Sequence, residues 1–217
     1  MADAARELVI RVWLIPFSTN VERVSLALGH KGVRAEQVLV DPGDRSEVVR
    51  VSGQDLVPVA DFNGEIVADS LAILRRIEEL HPEPPLWPPE PARRTEMDLF
   101  IDWFNRVWKV PPNAIAEMIE GDARDQLAID AHAAEMTAAL GAFESLLDGR
   151  PYLFGDTLSA ADCIAFPFLK YAAMRDPADD DDLFHRVLED YQRLDDGHPN
   201  LAAWIERLNA HPRGLEP

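Results

Sequence analysis

Six prolines fall within the stretch His81 to Pro91, HPEPPLWPPEP. Proline locks φ, lacks the N–H that a helix or strand ladder needs, and pushes the residue before it toward extended backbone. No helix or central strand can pass through such a run. The 217-residue chain therefore reads as two folding segments joined by a semi-rigid connector. The expected division is a first domain over residues 7–80, a linker over 81–91 and a second domain over 92–217.

Before the linker, strand and helix patterns alternate. Leu8 to Leu14 is a buried-strand run, and Val21 to Lys31 carries apolar residues at helical spacing before Gly32 stops it. A second strand is expected over Gln37 to Val40, a turn at Asp41-Pro42-Gly43 and a short helix over Arg45 to Val51. Val59 to Phe62 and Glu65 to Ala68 flank Asn63-Gly64, the strongest local signal for a type I′ hairpin, and a helix from Ser70 to Leu80 closes the unit. The order βαβαββα, with a right-handed crossover between the first two strands, is that of a thioredoxin-like α/β domain. After the linker the pattern is helical: Ala92 to Trp108, Ile115 to Glu120, Ala123 to Leu147, Ala160 to Met174, Leu183 to Arg193 and Asn200 to Asn209. An all-α helical bundle is expected there.

Composition narrows the function. The formal charge of -18 divides into -4 for residues 1–80 and -14 for residues 81–217. That acidic excess, with no basic stripe, argues against nucleic acid and anionic membranes as partners. No apolar stretch is long enough to span a bilayer. The single Cys163 excludes an internal disulfide, a CxxC pair and a cysteine-rich zinc site, and the six histidines show no HxxxH or HExxH spacing, so no metal is expected. The run Asp179 to Asp182 reads as a solvated loop rather than a calcium site. Met1 to Glu7 carries no secretory pattern, and a cytoplasmic location is expected. Eighteen Arg against three Lys point to a high-GC bacterial genome.

Three stretches together resemble cytosolic glutathione transferases. The first is Ser18-Thr19-Asn20-Val21-Glu22-Arg23-Val24-Ser25-Leu26-Ala27-Leu28 followed by His30-Lys31-Gly32-Val33, similar to the strand-to-helix region of the tau and zeta classes. The second is Leu56-Val57-Pro58-Val59 with Asp69-Ser70-Leu71-Ala72-Ile73, and the third is Tyr152-Leu153-Phe154-Gly155-Asp156-Thr157-Leu158-Ser159-Ala160-Ala161-Asp162. Their order and spacing cover most of the chain.

Such an enzyme needs a thiolate, whereas a free thiol with pKa near about 8.5 is only a few per cent ionised at neutral pH. The resemblance therefore implies a donor at the end of the first strand, where the next helix adds its dipole and free N–H groups. Tyr152, Tyr171, Tyr191 and Cys163 all lie in the second domain. The resemblance thus points to the serine type, with Ser18 as donor and Thr19 and Asn20 beside it. Aligning on Arg23-Val24-x-Leu26-Ala27-Leu28 places Ser18 at the family's serine, with Thr19 where the family has proline. Aligning on Pro16-Phe17 places Ile15 there instead, which cannot donate. Thr19-x-x-Glu22 also reads as a capping box, with Ser18 a further cap candidate.

By the same resemblance, Val57-Pro58 is a cis-proline turn that presents the Val57 N–H and C=O to the ligand's backbone. Asp69 and Ser70 are expected to receive the γ-glutamyl carboxylate, with a plain N-cap as the alternative. Arg45 and Gln54 are expected at the remaining ends of glutathione. Ser159-x-x-Asp162 reads as a structural capping box. Trp103, Phe104 and Trp108 are expected to line an apolar pocket between the domains, the alternative being a core stripe.

The function implied is a glutathione transferase, acting as a homodimer. It would hold glutathione, or another low-molecular-weight thiol, as a thiolate for attack on a small hydrophobic electrophile. Two other readings remain open: a non-catalytic binding or dimerisation scaffold, which the irregular Ile15-Pro16-Phe17 segment favours, and a glutathione-dependent isomerase, lyase or dehalogenase.

Overall fold

The computed structural model describes residues 9–121, 124–175 and 182–215. Met1 to Leu8, Ala123 and the first three residues of the Asp179 to Asp182 run lie outside them. Contacts divide the chain into two units, residues 9–85 with 211–215 and residues 86–210 with the exceptions just named.

The first unit is built on a four-stranded sheet of order β2-β1-β3-β4. Its strands are β1 (Ile10–Leu14), β2 (Glu36–Leu39), β3 (Val59–Phe62) and β4 (Glu65–Ala68). β1 and β2 run parallel through the crossover helix α1 (Thr19–Lys31), and β1–β3 and β3–β4 are antiparallel. The turn works as its residues require. Asn63 and Gly64 both take positive φ, 56° and 101°, which a type I′ turn demands. α1 ends at Gly32 in the left-handed conformation, with φ 66°, where a Cβ would be strained. α2 (Ser46–Ser52) places Val48 in a cluster with Trp13, Val40 and Val59. α3 (Ser70–Leu80) packs against α1 and the β3–β4 hairpin.

Two features tie this unit together. The buried Lys31 ammonium donates to Glu78 on α3 and to the Pro84 carbonyl in the connector. Residues 211–215 form a strap on α1: Gly214 N–H donates to the Ser25 carbonyl (2.9 Å), and the Ser25 hydroxyl donates to the Leu215 carbonyl and accepts its N–H, both at 3.1 Å. Residues 211–215 thus belong to the α/β unit.

The second unit holds α4 (Pro91–Trp103), α5 (Val110–Glu120), α6 (Gln126–Leu146), α7 (Ala160–Leu169), α8 (Leu183–Tyr191) and α9 (Pro199–Asn209). All ten residues of α7 are buried, as expected of a helix that is apolar all round. Its Asp162 is fully buried yet accepts from Leu153 N–H, Ser159 N–H, Ser159 Oγ and Trp204 Nε1, all within 2.9 Å. Burial pushes this carboxyl above its usual range against the four bonds, which favour the anion. The capping box at Ser159 and Asp162 is complete.

Three helix expectations are corrected. The helix expected over Ala92 to Trp108 changes to π-helical winding over Phe104–Trp108, with Lys109 N–H donating to the Phe104 carbonyl. This winding accompanies a near-parallel stack of Phe104 on Trp108, centroids 4.5 Å apart. α5 begins at Val110 rather than Ile115, because Pro111 and Pro112 fit a first turn whose N–H groups have no intrahelical acceptors. α7 stops at Leu169, and Lys170–Ala172 continues as a 3₁₀ turn.

Candidate functional site

The strand register gathers three of the sequence-picked segments at one end of the sheet. Trp13 pairs with Val59, and Val59 with Ala68. The exit from β1, the entry to β3 and the exit from β4 therefore lie side by side. Ser18 follows the first, Val57 and Pro58 precede the second, and Asp69 and Ser70 follow the third.

Ser18 is the N-cap of α1, and its Oγ accepts from Val21 N–H at 3.5 Å. The capping box expected at Thr19 and Glu22 does not form: the cap is Ser18, whose N3 residue is Val21, so only the single Ser18 bond caps the helix. Thr19 is buried inside the first turn, and Glu22 pairs with Arg213 at 3.0 Å. Capping uses a lone pair of the serine oxygen and leaves its O–H as a donor. The first-turn N–H groups, including those of Thr19 and Asn20, have no intrahelical acceptor. Ile15, which the alternative alignment puts in this place, packs against the Trp13, Val40, Val48 and Val59 cluster. Phe17, just before the cap, holds φ at 62°, a conformation a bulky residue rarely adopts.

The Val57–Pro58 peptide is cis. The Val57 N–H and C=O take no hydrogen-bond partner among the described residues. A second cis bond, Glu83–Pro84, lies within the proline run.

Asp69 caps α3, its Oδ1 accepting from Leu71 N–H (2.9 Å) and Ala72 N–H (3.1 Å). It too has positive φ, 79°. Ser70 is buried, and its Oγ accepts from the buried Arg23 guanidinium at 3.3 Å. This bond joins the second turn of α1 to the start of α3 and brings a cation to the N-terminus of α3. Sequence reading used Arg23 only as an alignment anchor; an arginine amid the apolar positions of α1 was the available signal.

Arg45 and Gln54 are engaged with backbone. Arg45 donates to the Pro42 and Asp55 carbonyls. Gln54 donates to the Leu56 carbonyl and accepts from Leu56 N–H. Both brace the loop that leads into Val57.

In the helical unit Phe104 and Trp108 face inward, their rings packed edge-on against Phe143 and Phe168. Their interior stripe is the alternative weighed for an aromatic helix pattern. Trp103 is half-buried beside Phe100 and Phe143. Among the described residues no group of His, Cys, Asp and Glu is arranged to hold a metal, and no helix is long and apolar enough to cross a membrane.

Comparison with known proteins agrees with this architecture. Residues 14–85 match the model for the glutathione S-transferase N-terminal domain, and residues 126–207 that for the glutathione S-transferase C-terminal domain. The chain is 27% identical over 216 residues to glutathione S-transferase GstB of Escherichia coli K12, covering 94% of this chain and 95% of that one. It is 32% identical over 162 residues to FtsZ-localized protein A of Caulobacter vibrioides, covering 69% of this chain and 71% of its relative. The tau-class transferase structure from mango, Mangifera indica, superposes with TM-score 0.75 at 20% identity, covering 94% of this chain and 90% of the other. With a thioredoxin-like unit, a helical unit and both domain models matched in order, the chain belongs to the glutathione S-transferase family.

Proposed function

We propose that this protein is a glutathione-dependent transferase of the serine type. The bound thiol loses its proton to solvent, the thiolate accepts a hydrogen bond from the Ser18 hydroxyl, and the sulfur attacks an electrophilic carbon of a small hydrophobic substrate, forming a C–S bond as the leaving group departs with its electron pair and takes a proton from solvent. The observation that carries the reading is the placement of Ser18 as an N-cap whose O–H remains available, at the sheet end where Val57 has a free backbone N–H and C=O. The ligand's peptide backbone pairs with Val57. Its γ-glutamyl carboxylate takes the N-terminus of α3, where the Ser70 N–H and the Arg23 charge add to the helix dipole. Of the three aromatics, Trp103 alone keeps part of its surface exposed. The enzyme acts in the cytoplasm as a two-fold dimer, as the family resemblance implies.

The test is calorimetric titration with glutathione beside Ser18→Ala, following thiolate absorbance against pH. Binding with a lowered thiol pKa that the substitution abolishes supports the transferase. No binding at millimolar concentration sinks the glutathione assignment. A second reading, a scaffold that keeps the fold without the chemistry, is favoured by the 32% identity to a protein named for its localization with FtsZ; retained assembly without thiol binding would select it.

A further inference from the structure

The strap of residues 211–215 lies against α1 in a fixed register. Ser18, Glu22, Ser25 and Gly29 follow one another at helical spacing down a single face. Pro212 sits over Gly29 so closely that a Cβ there would come 2.0 Å from the Pro212 carbonyl oxygen. A Cβ on Gly214 would come 2.2 Å from the Leu28 Cβ. Gly214 and Leu215 then bond to Ser25. The strap thus crosses α1 over Ser25, Leu28 and Gly29, and the Gly214 carbonyl accepts from Ala35 N–H at 3.4 Å. It delivers the Arg213 guanidinium to the Glu22 carboxylate at 3.0 Å, with side-chain exposures of 22% and 17%.

Glu22 sits in the first turn, and its N–H donates to the Ser18 carbonyl. A carboxylate there is favourable for the helix dipole but unfavourable for a second anion at the same terminus. Four residues correspond to about 6 Å of helix rise, and a pair this well covered is less screened than one in open water. An unpaired Glu22 would therefore oppose ionisation of a thiol at Ser18.

We propose that Arg213 is a positioning residue for the thiol site. By neutralising Glu22 it keeps a thiol at the N-terminus of α1 acidic, so the strap of residues 211–215 is an electrostatic part of the site at Ser18. The inference rests on reading Ser18 as the thiol contact. Without Arg213, the thiol pKa rises by about half to one unit at low salt, the size expected of a half-screened like charge at that separation.

The test uses full-length protein carrying Ser18→Cys, with the introduced thiol titrated by its rate of alkylation with iodoacetamide against pH. The parent with Ser18 intact serves as the blank for the fully buried Cys163. Arg213→Gln is expected to raise the pKa and Glu22→Gln to lower it. The double variant is expected to return near the starting value, Arg213→Lys to stay near it, and the shifts to shrink at high salt. An unchanged pKa in Arg213→Gln, or a double variant that keeps the whole rise, would overturn the proposal, the latter because the strap would then act by packing alone. Failure of the unmodified protein to bind glutathione would instead sink the thiol-site reading, while the titration at position 18 still reads the effect of the strap's charge.

Discussion

The Gln54 side chain holds the Leu56 peptide from both sides: Nε2 donates to the Leu56 carbonyl at 2.8 Å, and Leu56 N–H donates to Oε1 at 2.6 Å. The amide thereby acts as a strand partner for the residue just before Val57, and Arg45 steadies the same loop through Asp55. Gln54→Ala removes two bonds worth about 1 kcal/mol each in a half-exposed loop. Their loss should fall on binding rather than on the core. Glutathione affinity should drop roughly 3- to 10-fold, since about 1.4 kcal/mol is tenfold, with little change in Tm. Titration calorimetry beside a thermal melt separates the two, and unchanged affinity would show that the clasp does not order the Val57 backbone.

Gly29→Ala tests the strap by the sign of its effect. Inside an ordinary exposed helix the substitution would stabilise by about 1 kcal/mol. Here the added methyl meets the Pro212 backbone, which is not a flexible side-chain end that can yield. A net loss of about 1–3 kcal/mol is expected, in the range of overpacking. The urea midpoint measures it, and amide exchange at Gly214 and Leu215 should lose protection. A stabilised Gly29→Ala protein would mean that the strap does not dock as described.

Local chemistry explains what could be read from the sequence. Asn63-Gly64 specifies its own turn, Gly32 its own helix end and Ser159-x-x-Asp162 its own cap, so those features follow from a few neighbouring residues. The π-winding at Phe104 accompanies the stack on Trp108 and the packing of both rings on Phe143 and Phe168, which no local pattern encodes. The strap was illegible for a similar reason: Ser25 and Leu215 are 190 positions apart. At the candidate site, Ser18 read as both cap and donor because a hydroxyl offers both functions. Arg45 and Gln54 look like surface residues whose bracing role depends on where the loop turns.

Acidification should loosen the first unit. The imidazoles of His30 and His211 lie 5.8 Å apart. His30 is pushed below its ordinary value by burial and by Lys31, partly offset by the Pro85 backbone and Glu78. His211 is pushed down by burial, His30 and Arg213. The neutral rings are therefore preferred in the folded state, and the unfolded chain binds protons more readily. Stability is fully present above the unfolded histidine pKa of about 6.5 and is lost as pH falls through the lowered folded values. Urea midpoints from pH 7.5 down to 5 should decline. His211→Phe should flatten that part of the profile, whereas an equally steep decline in the variant would place the proton uptake elsewhere.

Asp162 should be the most sensitive single position in the helical unit. Four donors converge on a carboxylate with no exposure to water. They come from the turn at Leu153, the cap at Ser159 and α9 at Trp204, so this one group joins three parts of the chain. Asp162→Ala leaves all of them buried without an acceptor and should cost about 3–5 kcal/mol, as for a broken buried polar network. Trp204→Phe withdraws a single donor and most of the ring's volume remains, so its cost should be about 1–3 kcal/mol. Asp162→Asn keeps the shape but turns an NH₂ toward donors, and should fall between the two. Chemical denaturation of the three variants gives the order directly. A mild Asp162→Ala would mean that the cap at α7 forms without its carboxylate, and that packing of the apolar residues of α7 alone holds the helix in place.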